Sequence, residues 1–489
     1  MSPGATIALA LAAPLAGAVL IAALHRTPNL RETATLVTAA ALFLLVASLT
    51  PQVLEGARPA LTLIEVMPGL ALYFEIEPLG MLFALVASGL WIVNSLYSIG
   101  YMRRNGEAHQ TRFYVCFAVA LASAIGIAFA GNLLTLFVFY EALTLVTYPL
   151  VTHAGTDEAR RAGRVYLGVL VSTSIVFLLV AIIWTWQLAG TIEFERGGLL
   201  GSDIDAVTVA VLLALYVFGI GKAAVMPFHR WLPAAMVAPT PVSALLHAVA
   251  VVKAGVFAIV KVIVYVFGVE RLAAIDTIAW LPYLAGFTII AASIVALRSD
   301  NLKRRLAYST VSQLSYVVLA AALLTPLSIV GAALHIAAHA FSKITLFFAA
   351  GAIYTAAHKT EVSELAGIGR RMPVTMGAFT IGALSLIGVP PAVGFMSKWL
   401  ILQGAVQSGQ YFALAVILVS TLLNAAYFLP IVHAAFFRAP GAGDAAHAHG
   451  EAPWPMVIAL SITATGTIAL FFFSNALLRL IGPLGNTLS

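Results

Sequence analysis

The stretch from Gly219 to Gly255 reads GIGKAAVMPFHRWLPAAMVAPTPVSALLHAVAVVKAG, and the rest of the chain is organised around it. Lys222 stands near the end of an apolar run, with Gly219 and Gly221 beside it and Pro227 five residues on. Pro233, Pro239 and Pro241 then interrupt the helical pattern before a second long apolar run, which carries His247 and Lys253. An ionisable side chain deep in a membrane helix costs about 2.5–3.5 kcal/mol and by default marks a functional position. Helix breaks at membrane depth survive only where the loosened backbone is enclosed by protein or lines a wet cavity. Together the two features predict an ion path.

The composition sets the frame. Of 489 residues, 61% are hydrophobic and only 9% charged, where soluble domains carry about 25% charged residues. Apolar runs of the roughly 20 residues that a bilayer span requires recur about 14 times. The fold class expected is therefore an all-α polytopic membrane protein, with no room for a separate soluble domain. Cys116 is the single cysteine, which excludes an intrachain disulfide. The first apolar run has no basic residue before it, unlike a cleaved signal, and reads as a retained helix.

Charge supports the span map. Alternate loops hold the basic groups of segments 26–31, 103–112, 160–164, 298–305 and 359–371, with Arg230 and Arg438. The opposite loops hold only Arg58, Arg196, Arg271 and Arg479. Positive charge stays on the cytoplasmic side, so both termini are expected outside a cytoplasmic (inner) membrane. The pI near 9.4 follows from these loops and is no sign of nucleic-acid binding.

A second break mirrors the first. GALSLIGVPPAVGFMSKWLIL, from Gly382 to Leu402, is interrupted by Gly388, Pro390, Pro391 and Gly394 before Lys398. Two broken segments with one lysine each point to inverted repeats. The expected organisation is three helices in 1–112, a five-helix repeat in 113–267 broken near 222–238, an inverted five-helix repeat in 275–437 broken near 388–394, and a last helix in 455–481.

Few residues are left to carry chemistry. Glu141, in FVFYEALTLVTYPLV, is the one acid inside the apolar runs, with Thr144 and Tyr148 on its helical face. A glutamate near a helix end could reach lipid headgroups, but long apolar flanks favour a buried partner, and Lys222 is the chosen one. His335, His339 and Lys343 recur at i, i+4 and i+8 in HIAAHAFSKITLFF. A lone buried histidine usually packs, whereas two with a lysine on one stripe suit proton passage. No cysteine or carboxylate completes a metal site there.

Ser309, Ser312, Gln313 and Tyr316 form another polar face, read either as interhelical hydrogen bonding or as a wetted surface. His247 and Lys253 point about 120° apart. Lys261 is expected to snorkel outward. Asp444, His447, His449 and Glu451 read as a solvated linker. No phosphate loop, iron–sulfur cysteines or nucleophile–base pair appears, so no cofactor is expected. The relay expected is Lys222, then His247 and Lys253, then His335 and His339, then Lys398.

These segments resemble the antiporter-like subunits shared by Mrp-type sodium/proton antiporters and respiratory complex I. The motifs that carry the resemblance are FVFYEALTLVTYPLV, the Lys222–Gly255 run, DNLKRRLAYSTVSQLSY, HIAAHAFSK and GVPPAVGFMSKW. Length and loop wording look most like the D subunit of Mrp-type cation/proton antiporters. The resemblance implies that Glu141 and Lys222 match the family's essential pair. It places Lys253 and His335 or His339 on a central hydrophilic axis, and Lys398 at the terminal proton site. The sixth span, 165–188, lacks the acid some members have, which leaves Glu141 as the sole partner of Lys222. The partners implied are other hydrophobic subunits, protons, sodium and the lipid bilayer.

The function implied is a proton-translocating subunit of a multisubunit sodium/proton antiporter. The competing reading is a proton-pumping subunit of a redox-driven complex: an NADH-quinone oxidoreductase, a membrane hydrogenase or an inorganic-carbon uptake complex. A solute carrier working alone would have about 12 spans and a long basic central loop. A membrane scaffold would need neither Glu141 nor the buried lysines.

Overall fold

The computed structural model describes residues 2–440 and 450–488. Among the described residues, 11 helices are long and apolar enough to cross a membrane. Ala206–Gly219 and Pro373–Ile387 are shorter apolar helices, each ending at one of the two breaks. The chain is a polytopic helical membrane protein. Its helices begin where sequence supplies caps: Asn132 Oδ1 accepts the Thr135 N–H at 2.8 Å. Thr325 and Ser328 cap each other's backbone ahead of the long helix Pro326–Ala357.

Two helices form the centre. Thr240–Phe267 is wholly enclosed, and Pro326–Ala357 almost so. These are the helices that carry His247 and Lys253, and His335, His339 and Lys343. Tyr97, from Pro78–Arg104, ties the neighbouring helix to them. Its ring stacks on Phe348 at 3.9 Å and its hydroxyl donates to the Phe348 carbonyl at 2.8 Å. Lipid-length helices at the periphery instead expose leucine, valine and phenylalanine, as Leu44, Leu422 and Phe437 do.

Several expectations need correction. The protein is not purely helical: Ala60–Met67 and Leu70–Glu75 pair as an antiparallel hairpin. It is fastened to the helices by Glu75 N–H to Phe129 O at 2.8 Å and Gly131 N–H to Tyr73 O at 2.9 Å. The apolar run leading to Lys222 is helical only from Ala206 to Gly219, so the helix ends before the lysine. The Lys398 segment is broken as its glycines and prolines imply, into Pro373–Ile387 and Val393–Gln407, separated at Gly388. Gly388 has φ +94°, a backbone that favours glycine. The last expected span divides into Trp454–Phe472 and Ser474–Ile481. Asp444, His447 and His449 lie outside the described residues. Glu451 is not a free linker residue. Its carboxylate accepts the Val374 N–H at 2.7 Å and the Thr375 hydroxyl at 2.5 Å, capping Pro373–Ile387.

Candidate functional site

Lys222 lies in the first break, on a short 3-10 turn, Gly221–Ala223, rather than in a helix. Its side chain is fully buried. The ammonium donates to the Tyr140 carbonyl at 2.7 Å and to Thr144 Oγ1 at 2.5 Å. It also stands 3.2 Å from the centre of the Tyr140 ring. A desolvated ammonium gains about 2 kcal/mol or more from an aromatic face, so these contacts offset much of the cost of burying the charge. The turn is packed from behind by Gly255, where a Cβ would collide with the backbone of Lys222 and Ala223. Gly255 thereby seats the helix of Lys253 directly on the Lys222 turn.

Glu141 does not close an ion pair with Lys222 among the described residues. Lys222 instead takes Thr144, one turn further along the Glu141 helix, and the carboxylate acts on it through space. Glu141 Oε1 is buried without a hydrogen-bond partner. Val138 and Leu145, which flank it at i−3 and i+4, are exposed. Glu141 itself is half-buried, with its Oε1 enclosed and exposed residues on either side of it along the helix.

The second break is built on the same logic. Lys398 Nζ donates to the carbonyls of Leu386 at 2.7 Å and Ile387 at 3.1 Å. These are terminal carbonyls of Pro373–Ile387, where the helix dipole favours a cation. Lys398 also stands 4.8 Å from the centre of the Tyr316 ring.

From Lys253 toward the second break runs a series of neighbouring side chains. Lys253 Nζ and His339 Nδ1 are 2.5 Å apart. The rings of His339 and His335 are 6.2 Å apart between centres. His335 stacks on Tyr316 at 5.6 Å, and its Nδ1 meets Ser397 Oγ at 2.9 Å, one residue before Lys398. Lys253, His339, His335 and Lys398 are therefore brought together. An ammonium bonded to Nδ1 requires that nitrogen's lone pair, which leaves the imidazole hydrogen on Nε2. Such a ring can take a proton at one nitrogen and release one from the other.

Lys343 does not join this line. It turns to the tenth-span polar face, donating to Ser309 Oγ at 2.9 Å and Leu306 O at 3.3 Å. Ser309 also accepts from Tyr427, which bonds Asn424. Ser312 and Ser293 bond each other at 2.9 Å, joining two helices. These contacts support the interhelical hydrogen-bonding reading of that polar face. His247 packs on Phe347 at 4.8 Å, and neither ring nitrogen has a partner.

Lys261 corrects the expectation of snorkelling. It is buried, bonded to Glu77 Oε1 at 3.3 Å and to the Ala130 carbonyl at 2.7 Å, while Tyr265 donates to Glu77 Oε2 at 3.1 Å. Sequence reading passes over Glu77, Tyr140 and Ser397. Glu77 precedes Pro78 as a helix cap, and its second role with Lys261 needs the fold. Tyr140 and Ser397 each stand next to a residue already chosen, which is the one sequence signal they give.

Known proteins share this architecture. A family model described as NADH:quinone oxidoreductase/Mrp antiporter, TM, matches residues 130–424. The N subunit of the NADH-quinone oxidoreductase of Desulforudis audaxviator is 33% identical, over 82% of this chain and 82% of that protein. The A/B subunit of a probable K(+)/H(+) antiporter of Rhizobium meliloti is 30% identical over 84% of this chain, which spans 41% of that longer protein. The fold matches a chain of the Mrp complex from Dietzia sp. DQ12-45-1b with a TM-score of 0.88 and 22% identity, covering 99% of this chain and 97% of that one. It matches a chain of the membrane-bound sulfane sulfur reductase, an archaeal respiratory membrane complex, with a TM-score of 0.86 and 25% identity, covering 98% and 97%. The chain with two broken helices and a buried line of lysines and histidines belongs to the NADH:quinone oxidoreductase/Mrp antiporter transmembrane family.

Proposed function

We propose that this chain is the proton-translocating membrane subunit of a multisubunit monovalent cation/proton antiporter, with sodium as the cation. Protons pass between Glu141 and Lys222, then along His247, Lys253, His339, His335 and Lys398, with Lys343 holding a side branch. The observation that carries this reading is the buried series of Lys253 bonded to His339, His335 beside it with ring centres 6.2 Å apart, and Ser397 bonded to His335 next to Lys398. Buried ionisable groups are costly, and a packing role explains one of them, not a line.

The half-buried setting of Glu141 supports a multisubunit protein. An unpartnered carboxylate oxygen between exposed Val138 and Leu145 suits the face against which a second hydrophobic protein packs. The two broken helices support the division into two inverted five-helix units, 113–267 and 275–437. The basic loops support an inner-membrane location with the arginine-rich side in the cytoplasm and both termini on the outer side.

A second reading has its own support: the oxidoreductase relative and the respiratory-complex structure favour a proton-pumping subunit of a redox-driven complex. Copurification from native membrane in mild detergent separates the two. Hydrophobic partners without flavin, iron or nickel signals fit the antiporter, and such signals fit the redox pump. In either case Glu141→Gln in the assembled complex abolishes proton movement; retained movement would overturn both.

A further inference from the structure

A cavity of about 290 Å³ opens on the arginine-rich side. Its floor is the unwound end of the first break, Met236 to Thr240, and Glu107 and Lys303 stand in its wall. Lys303 Nζ donates to the Ala238 carbonyl at 2.6 Å and so holds that unwound backbone. Glu107 also lines a second, wider depression, shared with His25, Arg31, His109 and Arg112, that faces the exterior of the same side. One carboxylate therefore borders both the open surface and the inner cavity.

The inner cavity ends where a polar stripe begins. Thr240 and Ser243 follow at i and i+3 on the enclosed helix that starts at Thr240, and His247 comes next in its π-helical stretch Leu245–Val249. Ser243 Oγ is buried without a partner, as are both ring nitrogens of His247 and Asn94 Oδ1. Asn94 reaches this helix through its amide, which donates to the Pro241 carbonyl at 3.4 Å. Buried polar atoms are almost always satisfied, and each exception calls for an explanation. Orphaned atoms on this helix and on the one packed against it, next to a polar cavity, are what water molecules would satisfy. At about 30 Å³ of liquid volume per water, the cavity holds several. Beyond His247, His339 and Lys343 are its electrostatic neighbours.

We propose that Glu107 is the loading carboxylate of a proton inlet: it collects protons at the arginine-rich surface and passes them through the cavity, past Thr240 and Ser243, to His247. This rests on the proton-translocating reading given above. Glu107 faces His153, whose Nε2 lies 3.8 Å from its carboxylate, and Lys303 across the cavity, with the arginines and histidines of the outer depression behind it. Burial raises its pKa above that of a free carboxylate, and Lys303 offsets part of the rise. A purely structural ion pair with His153 would give Glu107 no reason to border two cavities.

The test uses the whole assembled complex in everted membrane vesicles, with cation-driven proton movement followed by a pH-sensitive dye. Glu107→Gln should slow the initial rate several-fold without changing which partners copurify, and Glu107→Asp should restore most of it. The deficit should shrink when the arginine-rich side is acidified, because free protons then bypass the missing carboxylate. Independently, Thr240→Cys in a Cys116→Ala background should react with a membrane-impermeant thiol reagent from that side and be inhibited by it. A wild-type rate in Glu107→Gln, or an unreactive Thr240→Cys, would overturn the inlet. Glu141→Gln in the same assay tells the two failures apart: if it too leaves transport intact, the proton-translocating reading falls, and if it alone abolishes transport, only the inlet does.

Discussion

Lys253 Nζ lies 2.5 Å from His339 Nδ1, and both side chains are buried on the two most enclosed helices of the protein. Two full positive charges cannot share that distance in a poorly solvated core. The pair therefore holds one labile proton between two bases, which is the property a relay needs.

That relationship predicts strong non-additivity. Lys253→Leu and His339→Gln should each cut proton movement sharply, and the double variant should be little worse than either. The coupling expected for residues in one such network is about 0.5–3 kcal/mol. Transport rates of the four proteins check it, and simple multiplication of the two losses would contradict the shared-proton account.

Gly255 should prove intolerant of even a methyl group. Its added Cβ meets the backbone of Lys222 and Ala223, and backbone cannot rotate away as a side chain can. Gly255→Ala should destabilise the protein by about 1–3 kcal/mol, the usual cost of overpacking, and displace the Lys222 turn from Tyr140. Thermal unfolding in detergent and the transport assay check the two effects. Gly377, which has open space around it, serves as the control position.

The buried Lys261–Glu77 pair should behave as a structural tie. Removing one partner strands a buried charge at about 3–5 kcal/mol, whereas removing both is far milder. Lys261→Met alone should therefore lower the melting temperature more than Lys261→Met combined with Glu77→Gln. Equal losses would show that the pair is solvated.

His153 gives a pH signature outside the membrane spans. Burial, aided by Arg112, holds its pKa down to about 4, while an unfolded histidine titrates near 6.5. Between those values the unfolded chain binds the extra proton. The stability contributed by the neutral ring is therefore complete above about pH 6.5 and lost as pH falls toward 4. His153→Gln should lose less stability than the native protein on acidification from pH 7 to 4, measured by thermal unfolding. Parallel loss in the two proteins would contradict the assignment.

Much of the site is legible in the sequence because charge in an apolar run is conspicuous. Glu141, Lys222, Lys253, His335, His339 and Lys398 stand out for that reason, and both breaks are marked by glycine and proline. What sequence cannot supply is partner geometry. Lys261 reads as snorkelling because Glu77, its partner, lies 184 residues away. Lys222 and Glu141 match as opposite charges, yet the ammonium takes Thr144 and the Tyr140 carbonyl, which only the turn at Gly221–Ala223 brings within reach. The hairpin Ala60–Glu75 is hidden because its strands, eight and six residues long, are mostly apolar and stand among apolar helical runs.

The central claim is that protons cross this chain through Lys222 and the buried line beyond it. The most direct test is proton movement by the assembled complex, reconstituted in liposomes and driven by a sodium gradient, for the native protein and Lys222→Gln at matched assembly. The account predicts loss of gradient-driven proton movement in the variant. Native rates in Lys222→Gln would contradict it.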